Sequence, residues 1–187
     1  IALCVKRGDN WTKWTYTECN RDVMQAGRAL IKLGLEPYHG VGIIGFNSPE
    51  WFISYFAAIH AGGFAVGIYT TNSPDACQYV AGNCDANIII VENDAQLQKI
   101  LTVRDRLPCL KAIIQYTGKP KEDYPNVYSW DGFMKLGDDT SLDEPLKQRI
   151  NAQSPNKACT LVYTSGTTGN PKGVMLSHDN VTWTAST

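Results

Sequence analysis

Tyr163 to Gly173 reads YTSGTTGNPKG, and this stretch decides how the rest of the chain is interpreted. It carries four Ser and Thr hydroxyls, two internal glycines and, near its end, Lys172. Glycine lets the backbone approach a ligand closely, and successive backbone N–H groups in such a turn bind an anion. The hydroxyls add hydrogen-bond donors, and the lysine adds a positive charge. The stretch therefore predicts a loop that binds a polyphosphate.

The flanks of this loop differ from those of a Walker A loop. A Walker A loop needs Gly directly before its Lys and Ser or Thr directly after it. Here Pro171 precedes Lys172 and Gly173 follows it. Residues 158–163, ACTLVY, predict a buried strand, and residues 173–176, GVML, predict a second short strand rather than a helix. A surface turn rich in Ser, Thr and Gly is the alternative interpretation.

Every position from Thr164 to Lys172 fits the signature loop of the adenylate-forming superfamily, which includes acyl-CoA synthetases, peptide-synthetase adenylation domains and luciferases. The resemblance extends from about Asp9 to the end of the chain. Residues 14–35 and 42–74 are similar to acyl-CoA synthetases, most of all to the bubblegum type of animal long-chain fatty-acid–CoA ligase. The resemblance implies that the loop holds the phosphates of ATP through Thr164, Ser165, Gly166, Thr167, Thr168, Gly169, Asn170, Pro171 and Lys172.

The resemblance also implies a reaction in two steps. A long-chain fatty-acid carboxylate attacks the α-phosphorus of ATP, which gives an acyl-adenylate and pyrophosphate, and the thiol of coenzyme A then displaces AMP. In the superfamily the adenine-binding motifs, the Mg²⁺ ligands and the lid lysine lie downstream of this loop. Residues 1–187 are therefore interpreted as a partial AMP-binding domain without its C-terminal lid, and alone they are expected not to complete the reaction. They offer no identifiable catalytic or metal-binding residue.

The composition indicates an ordinary soluble globular protein. Hydrophobic residues make up 43% of the chain and charged residues 19%, which is typical of such proteins. The net charge of −1 and the absence of a Lys/Arg cluster argue against binding to nucleic acid. The chain starts at Ile1 and stops at Thr187 inside a predicted helix, so we interpret it as a piece of a longer protein. That protein is expected in the cytoplasm, with peripheral association at the endoplasmic reticulum or another membrane as a further expectation for a lipid substrate.

Six cysteines occur in the chain without the spacing of metal ligands. Cys77, Val80, Ala81 and Cys84 fall on one stripe of a predicted helix, so these two cysteines are interpreted as small core residues. A zinc site is the disfavoured alternative because the ligand spacing is missing. Free buried thiols fit a reducing, intracellular compartment.

Strand and helix patterns alternate along the chain. Thr15 and Glu18 form a predicted capping box whose helix ends at Gly34. Further helices are predicted to begin at Ser48-Pro49, Ser73-Pro74, Asp94, Ser129 and Ser177-His178. Buried strands are predicted over residues 41–46, 64–69, 86–91 and 110–116. This alternation predicts an α/β fold with a mostly parallel sheet and flanking helices.

Residues 51–74 contain no Asp, Glu, Lys or Arg, which is long enough for a transmembrane helix. However, Gly62-Gly63 interrupts this run, and its second half is rich in β-branched residues and glycine. A helix over 51–61, a tight turn and a buried strand explain all of these features, so we predict no transmembrane span. Because the helix is apolar nearly all round, we expect it to be deeply buried.

His178 and the overall function each leave an alternative open. His178 is interpreted as a packed or exposed imidazole beside the helix cap at Ser177 rather than as a catalytic group. The function could instead be that of another adenylate-forming enzyme, either amino-acid-activating or luciferase-like. A non-catalytic nucleotide-binding module is the third interpretation.

Overall fold

The computed structural model describes residues 1–164 and 170–187, which form nine strands and seven α-helices. The strands are Leu3–Arg7 (β1), Asn10–Trp14 (β2), Gly40–Ile44 (β3), Phe64–Ile68 (β4), Ile88–Val91 (β5), Ala112–Gln115 (β6), Val127–Ser129 (β7), Ala158–Thr164 (β8) and Lys172–Ser177 (β9). The helices are Tyr16–Lys32 (α1), Pro49–His60 (α2), Pro74–Asn83 (α3), Asp94–Val103 (α4), Trp130–Leu136 (α5), Asp143–Asn151 (α6) and His178–Ser186 (α7).

Seven of the strands form one sheet in the order β7-β6-β5-β3-β4-β8-β9. All neighbouring pairs are parallel except β8 and β9, which are antiparallel. The first two strands form a separate antiparallel hairpin. The α/β fold class and the mostly parallel sheet are confirmed. Strands β3 to β6 begin and end within two residues of their predicted bounds.

Helices cover both faces of the sheet because the side chains of its central strands alternate between two cores. On β5, Ile88 and Ile90 belong to the core beneath α1, α2, α5 and α6, whereas Ile89 and Val91 belong to the core beneath α3 and α4. All four side chains are fully buried. A central strand covered on both faces reads as an unbroken apolar run, which is why IIIV is a reliable signal here.

Side-chain caps start the helices where the sequence places them, with one exception. The capping box at α1 is present, with the Glu18 amide donating to Thr15 Oγ1 over 3.2 Å and the Thr15 amide donating to Glu18 Oε2 over 2.8 Å. Ser48, Ser73 and Ser129 cap α2, α3 and α5. After α1, Gly34 adopts a positive φ of 88°, the backbone conformation expected of a glycine that ends a helix.

The exception is α4, which Asp94 was predicted to cap. Asn93 is the cap instead, and its Oδ1 accepts from the Gln96 amide. Asparagine caps a helix as well as aspartate does. Asp94 is then the first helical residue, where a negative charge is favourable near the positive end of the helix dipole, and it pairs with Lys121 at 2.8 Å.

Residues 51–74 divide into most of α2, a turn at Gly62-Gly63, strand β4 and the first residue of α3. Within residues 1–164 and 170–187, no helix has both the length and the apolar character needed to cross a membrane. The expectation that this helix is deeply buried was wrong along one flank. Ile53, Ala57 and Ala58 are buried, but Phe52 is exposed, and the rings beside it are only half-buried because they line cavities described below.

Arg149 of α6 hydrogen-bonds to the backbone at the C-terminal ends of both α1 and α2. One of its guanidinium nitrogens donates to the carbonyl oxygen of Leu35, just after α1, over 2.7 Å and to that of Ala61, the C-terminal cap of α2, over 2.8 Å. Burial lowers the pKa of Arg149. The guanidinium nevertheless meets the negative ends of two helix dipoles, where a positive charge is favourable.

Replacing Arg149 with methionine keeps the length of the apolar stem and removes both donors. We expect the free energy of unfolding to fall by about 1.5–3 kcal/mol, the usual value of hydrogen bonds to a charged group. Thermal unfolding of the full-length protein measures the effect. Arg21→Met is the matched control because Arg21 is an exposed arginine of α1. Equal melting temperatures for the two variants would contradict the role assigned to Arg149.

Candidate active site

The described residues of the predicted phosphate loop lie at the facing ends of two antiparallel strands. Thr164 is the last residue of β8 and Lys172 the first of β9, and the two are directly opposite in the register. Both are exposed, as is Asn170, and Pro171 is half-buried. The remaining predicted residues lie outside the described part of the chain: Ser165, Gly166, Thr167, Thr168 and Gly169.

Strand β8 ends at the edge of the sheet where the parallel strands end. Strand β8 runs parallel to β4, with Ala65 opposite Thr160 and Val66 opposite Leu161. The buried hydroxyl of Thr160 also donates to the Ala65 carbonyl oxygen over 2.6 Å. Thr164 therefore lies at the carboxyl edge of the sheet, the edge at which open α/β sheets bind their ligands.

A cleft of about 430 Å³ opens at this same edge. It lies between the ends of β3, β4 and β8, and its wall includes Trp51 and Tyr55 of α2 and Val181 of α7. After β3 the chain passes to α2 on one face of the sheet, and after β4 it passes to α3 on the other. A ligand crevice is expected between two neighbouring strands whose connections diverge in this way.

Two side chains that follow β5 and β6 hydrogen-bond to the backbone of Phe46, which follows β3 and lines the cleft. The Phe46 amide donates to Glu92 Oε2 over 3.1 Å, and the Tyr116 hydroxyl donates to the Phe46 carbonyl oxygen over 3.2 Å. Burial raises the pKa of Tyr116 to about 12, so its hydroxyl stays a donor. A Cβ atom on Gly45 would lie 1.9 Å from that hydroxyl oxygen. Only glycine fits this position without displacing Tyr116.

A second cavity, of about 270 Å³, lies beneath α7 and shares Tyr55 and Val181 with the cleft. Its exposed surface is mostly apolar, and His178 lines it together with His60, Gln153 and Thr182. Ser177 caps α7 as predicted, through a capping box with Asn180. His178 Nε2 lies 3.1 Å from Gln153 Oε1. The imidazole is thus packed beside the cap, the arrangement that the sequence predicts.

The partial burial of His178 should make the stability of the fold depend on pH, and the direction of its pKa shift sets the sign. Burial, with a smaller contribution from the nearby charge of His60, lowers the pKa of His178. In the unfolded chain histidine titrates near its ordinary value of about 6.5. The unfolded state therefore binds this proton more readily, and stability falls as the pH drops below about 6.5.

Replacing His178 with glutamine should reduce this loss of stability on acidification. The melting temperature of the full-length protein, compared between neutral pH and a pH one unit below the ordinary histidine pKa, measures the difference. His39→Gln is the control because it removes a histidine outside this cavity. An equal loss of stability on acidification in wild type and His178→Gln would contradict the assignment.

The two cysteines of the predicted α3 stripe do not add a nucleophile to the site. Cys77 and Cys84 are buried on the predicted stripe of α3, and Cys84 is its C-terminal cap. Burial raises the pKa of Cys77 and raises that of Cys84 to about 12, so both remain protonated. In the part of the chain that the structure describes, no three His, Cys, Asp or Glu side chains come together to hold a metal ion.

Comparison with known proteins decides the family. The sequence model described as AMP-binding enzyme matches residues 1–187, the whole chain. This chain belongs to the AMP-binding enzyme family. It is similar to long-chain-fatty-acid–CoA ligase ACSBG2 of Xenopus laevis, with 63% identity over 186 residues that cover 100% of this chain and 25% of that protein. It is also similar to long-chain-fatty-acid–CoA ligase ACSBG1 of Homo sapiens, with 51% identity over 185 residues, 99% of this chain and 25% of that protein.

A solved CoA ligase shares the fold of this chain. The structure of the anthranilate CoA ligase AuaEII in complex with anthranoyl-AMP aligns with a TM-score of 0.75 and 28% identity, covering 96% of this chain and 32% of that one. The resemblance to adenylate-forming enzymes of the bubblegum type is confirmed. The chain spans about a quarter of the length of the two ligases that it matches.

The structure places residues at the candidate site that the sequence did not identify. Thr164 and Lys172 were predicted as loop residues, but the hydrogen-bonded ladder extends far enough to include both in strands. Phe46, Asn47 and Thr70 line the cleft and were not predicted as site residues. The available signal was their position, since each lies within three residues after the end of a buried parallel strand and so at the carboxyl edge of the sheet.

Proposed function

We propose that the full-length protein is an ATP-dependent long-chain fatty-acid–CoA ligase and that this chain supplies its phosphate-binding loop. The observation that carries the proposal is the position of Thr164 and Lys172, which face each other at the carboxyl edge of the sheet beside the cleft. The names of the two animal ligases, similar along the whole chain, favour a long-chain fatty acid as the substrate.

In the first step an oxygen of the fatty-acid carboxylate bonds to the α-phosphorus of ATP, and the bond from that phosphorus to the pyrophosphate oxygen breaks. Negative charge builds on the departing pyrophosphate. The exposed ammonium of Lys172 and the hydroxyl of Thr164 stand at the two ends of the loop, where they would meet the β- and γ-phosphates. Donors fixed in place before the reaction stabilise such charge without reorganisation.

In the second step the sulfur of coenzyme A bonds to the acyl carbon, AMP leaves with the electron pair, and the thiol loses its proton. We propose coenzyme A as the co-substrate and Mg²⁺ as the ion that accompanies ATP, with its protein ligands outside this chain. We also propose a cytoplasmic protein that can associate peripherally with the endoplasmic reticulum or another membrane, where its lipid substrate partitions.

Hydroxylamine trapping of the acyl-adenylate by the full-length protein tests this function. Fatty acids of increasing chain length and a panel of amino acids are offered separately, each with and without ATP. We expect an ATP-dependent hydroxamate with long-chain fatty acids and, after coenzyme A is added, the corresponding acyl-CoA. Trapping with amino acids alone would support an amino-acid-activating enzyme, and the absence of trapping with every acid would contradict adenylation altogether.

A further inference from the structure

A buried phenol lies one residue before the phosphate loop. Tyr163 is the penultimate residue of β8, and its side chain is 6% exposed. Its hydroxyl donates to Asn83 Oδ1 over 2.7 Å, and Asn83 is the last residue of α3. Burial raises the pKa of Tyr163 well above its ordinary value, so the hydroxyl stays protonated and remains a donor. One end of the loop is thus tied to a helix on one face of the sheet.

The ring of Tyr163 also reaches the strand at the other end of the loop. Gly173 lies directly opposite Tyr163 in the register of β8 and β9. A Cβ atom on Gly173 would lie 3.0 Å from Cζ of the ring and 3.2 Å from the hydroxyl oxygen. The ring therefore crosses over Gly173, and the space that a side chain would need there is already filled.

Strand β9 pairs with β8 over residues 172–177, and no described strand pairs with its other edge. It lies at the end of the sheet order, and Val174 and Met175 are 44% and 63% exposed. An end strand with little buried apolar surface opens locally at low free energy. The rung next to Tyr163 and Gly173 is the pair Thr164 and Lys172, so any opening at this rung moves the lysine.

We propose that Tyr163, with Asn83 as its acceptor and Gly173 beneath its ring, is a positioning residue that holds Lys172 in place for phosphate binding. This inference rests on the function proposed above, in which Lys172 stabilises the departing pyrophosphate. In this proposal Tyr163 acts through Lys172, because its hydroxyl is engaged by Asn83 and its ring covers Gly173. The contacts of Tyr163 thus connect β8 with β9 and α3 at the residue before the loop.

Two variants of the full-length protein test the hydrogen bond without removing the ring. Tyr163→Phe removes the donor and Asn83→Ala removes the acceptor, which belongs to an exposed residue. Each should lower kcat of ATP–pyrophosphate exchange roughly 3- to 10-fold, as expected for one lost hydrogen bond. The KM for the fatty acid should stay unchanged, and the double variant should be no slower than either single one. Asn83→Asp, which keeps an acceptor oxygen, should restore part of the rate.

A comparison in a Lys172→Ala background separates positioning from general stability. If Tyr163 acts through Lys172, Tyr163→Phe has no further effect on exchange once the lysine is gone. Tyr79→Phe is the matched control because it removes another phenol, from α3 itself. An additive loss in the Lys172→Ala background, or unchanged exchange in both single variants, would overturn the inference.

Hydrogen–deuterium exchange supplies a readout that does not depend on activity. Amides of residues 172–177 should lose protection in Tyr163→Phe and Asn83→Ala, whereas those of β3 should not. Unchanged protection of residues 172–177 would overturn the inference even if the rates fall. Wild-type protein that exchanges no pyrophosphate with any acid would contradict the proposed function, and the amide protection would then decide the structural role of Tyr163 alone.

Discussion

Replacing Lys172 with alanine in the full-length protein is expected to raise the barrier to adenylate formation by about 2–4 kcal/mol, roughly 30- to 1,000-fold in rate. The size follows from the loss of one preorganised donor to charge that develops in the transition state. Lys172 stands at the start of β9, opposite Thr164, at the edge of the sheet where the cleft opens. ATP–pyrophosphate exchange measures this step directly because it does not require coenzyme A.

Two further variants sharpen this prediction. Lys172→Arg keeps the positive charge but changes the donor geometry, so it should be slower than wild type and faster than Lys172→Ala. Lys135→Ala is the matched control because Lys135 is an exposed lysine of α5, far along the chain from the loop. Exchange that proceeds at the wild-type rate in Lys172→Ala would contradict the role assigned to the lysine.

Replacing Phe133 with alanine is expected to reduce the free energy of unfolding by about 3–5 kcal/mol, the range seen when a buried aromatic ring is truncated in a core. Phe133 is 0% exposed in the core beneath α1 and α2, and its ring is 5.5 Å from that of Trp130 between centroids. The lost stability has two parts, the free energy gained by burying the ring and the cost of the cavity that its removal leaves. Thermal unfolding of the full-length protein measures their sum.

Tyr16→Ala is the control for the Phe133 prediction. Tyr16 is an aromatic residue of α1 with 78% of its surface exposed, so its truncation removes little buried area. We expect a melting temperature close to that of wild type for Tyr16→Ala and one lower by several degrees for Phe133→Ala. If the two variants unfolded at the same temperature, the packing of α5 against this core would be contradicted.

The elements of the fold could be read from the sequence because local signals and burial agree in this chain. The capping box at Thr15 and the apolar run that ends at Val91 each specify one structure with little help from distant residues. The cap of α4 was misassigned because Asn93 and Asp94 are equally suitable and adjacent. The burial of α2 was overestimated because a hydrophobic surface that lines a cavity and one that packs in a core have the same composition.

The site was predicted less completely than the fold. The proposed phosphate loop is one continuous motif, so candidate residues could be named from the sequence, and their binding of phosphate stays a prediction. The cleft is assembled from residues such as Asn47, Thr70 and Tyr163, which only the sheet order brings together. The hydrogen bond between Tyr163 and Asn83 joins residues that are 80 positions apart. No local pattern marks such a pair, because their contact depends on the crossing of α3 over the sheet.

We propose that the segment between β8 and β9 binds the triphosphate of ATP. The most direct test is a crystal structure of the full-length protein with a non-hydrolysable ATP analogue. We predict that the β- and γ-phosphates lie within hydrogen-bond distance of residues 164–172, with the Lys172 ammonium on a phosphate oxygen. A triphosphate bound elsewhere, with no phosphate at residues 164–172, would contradict this role.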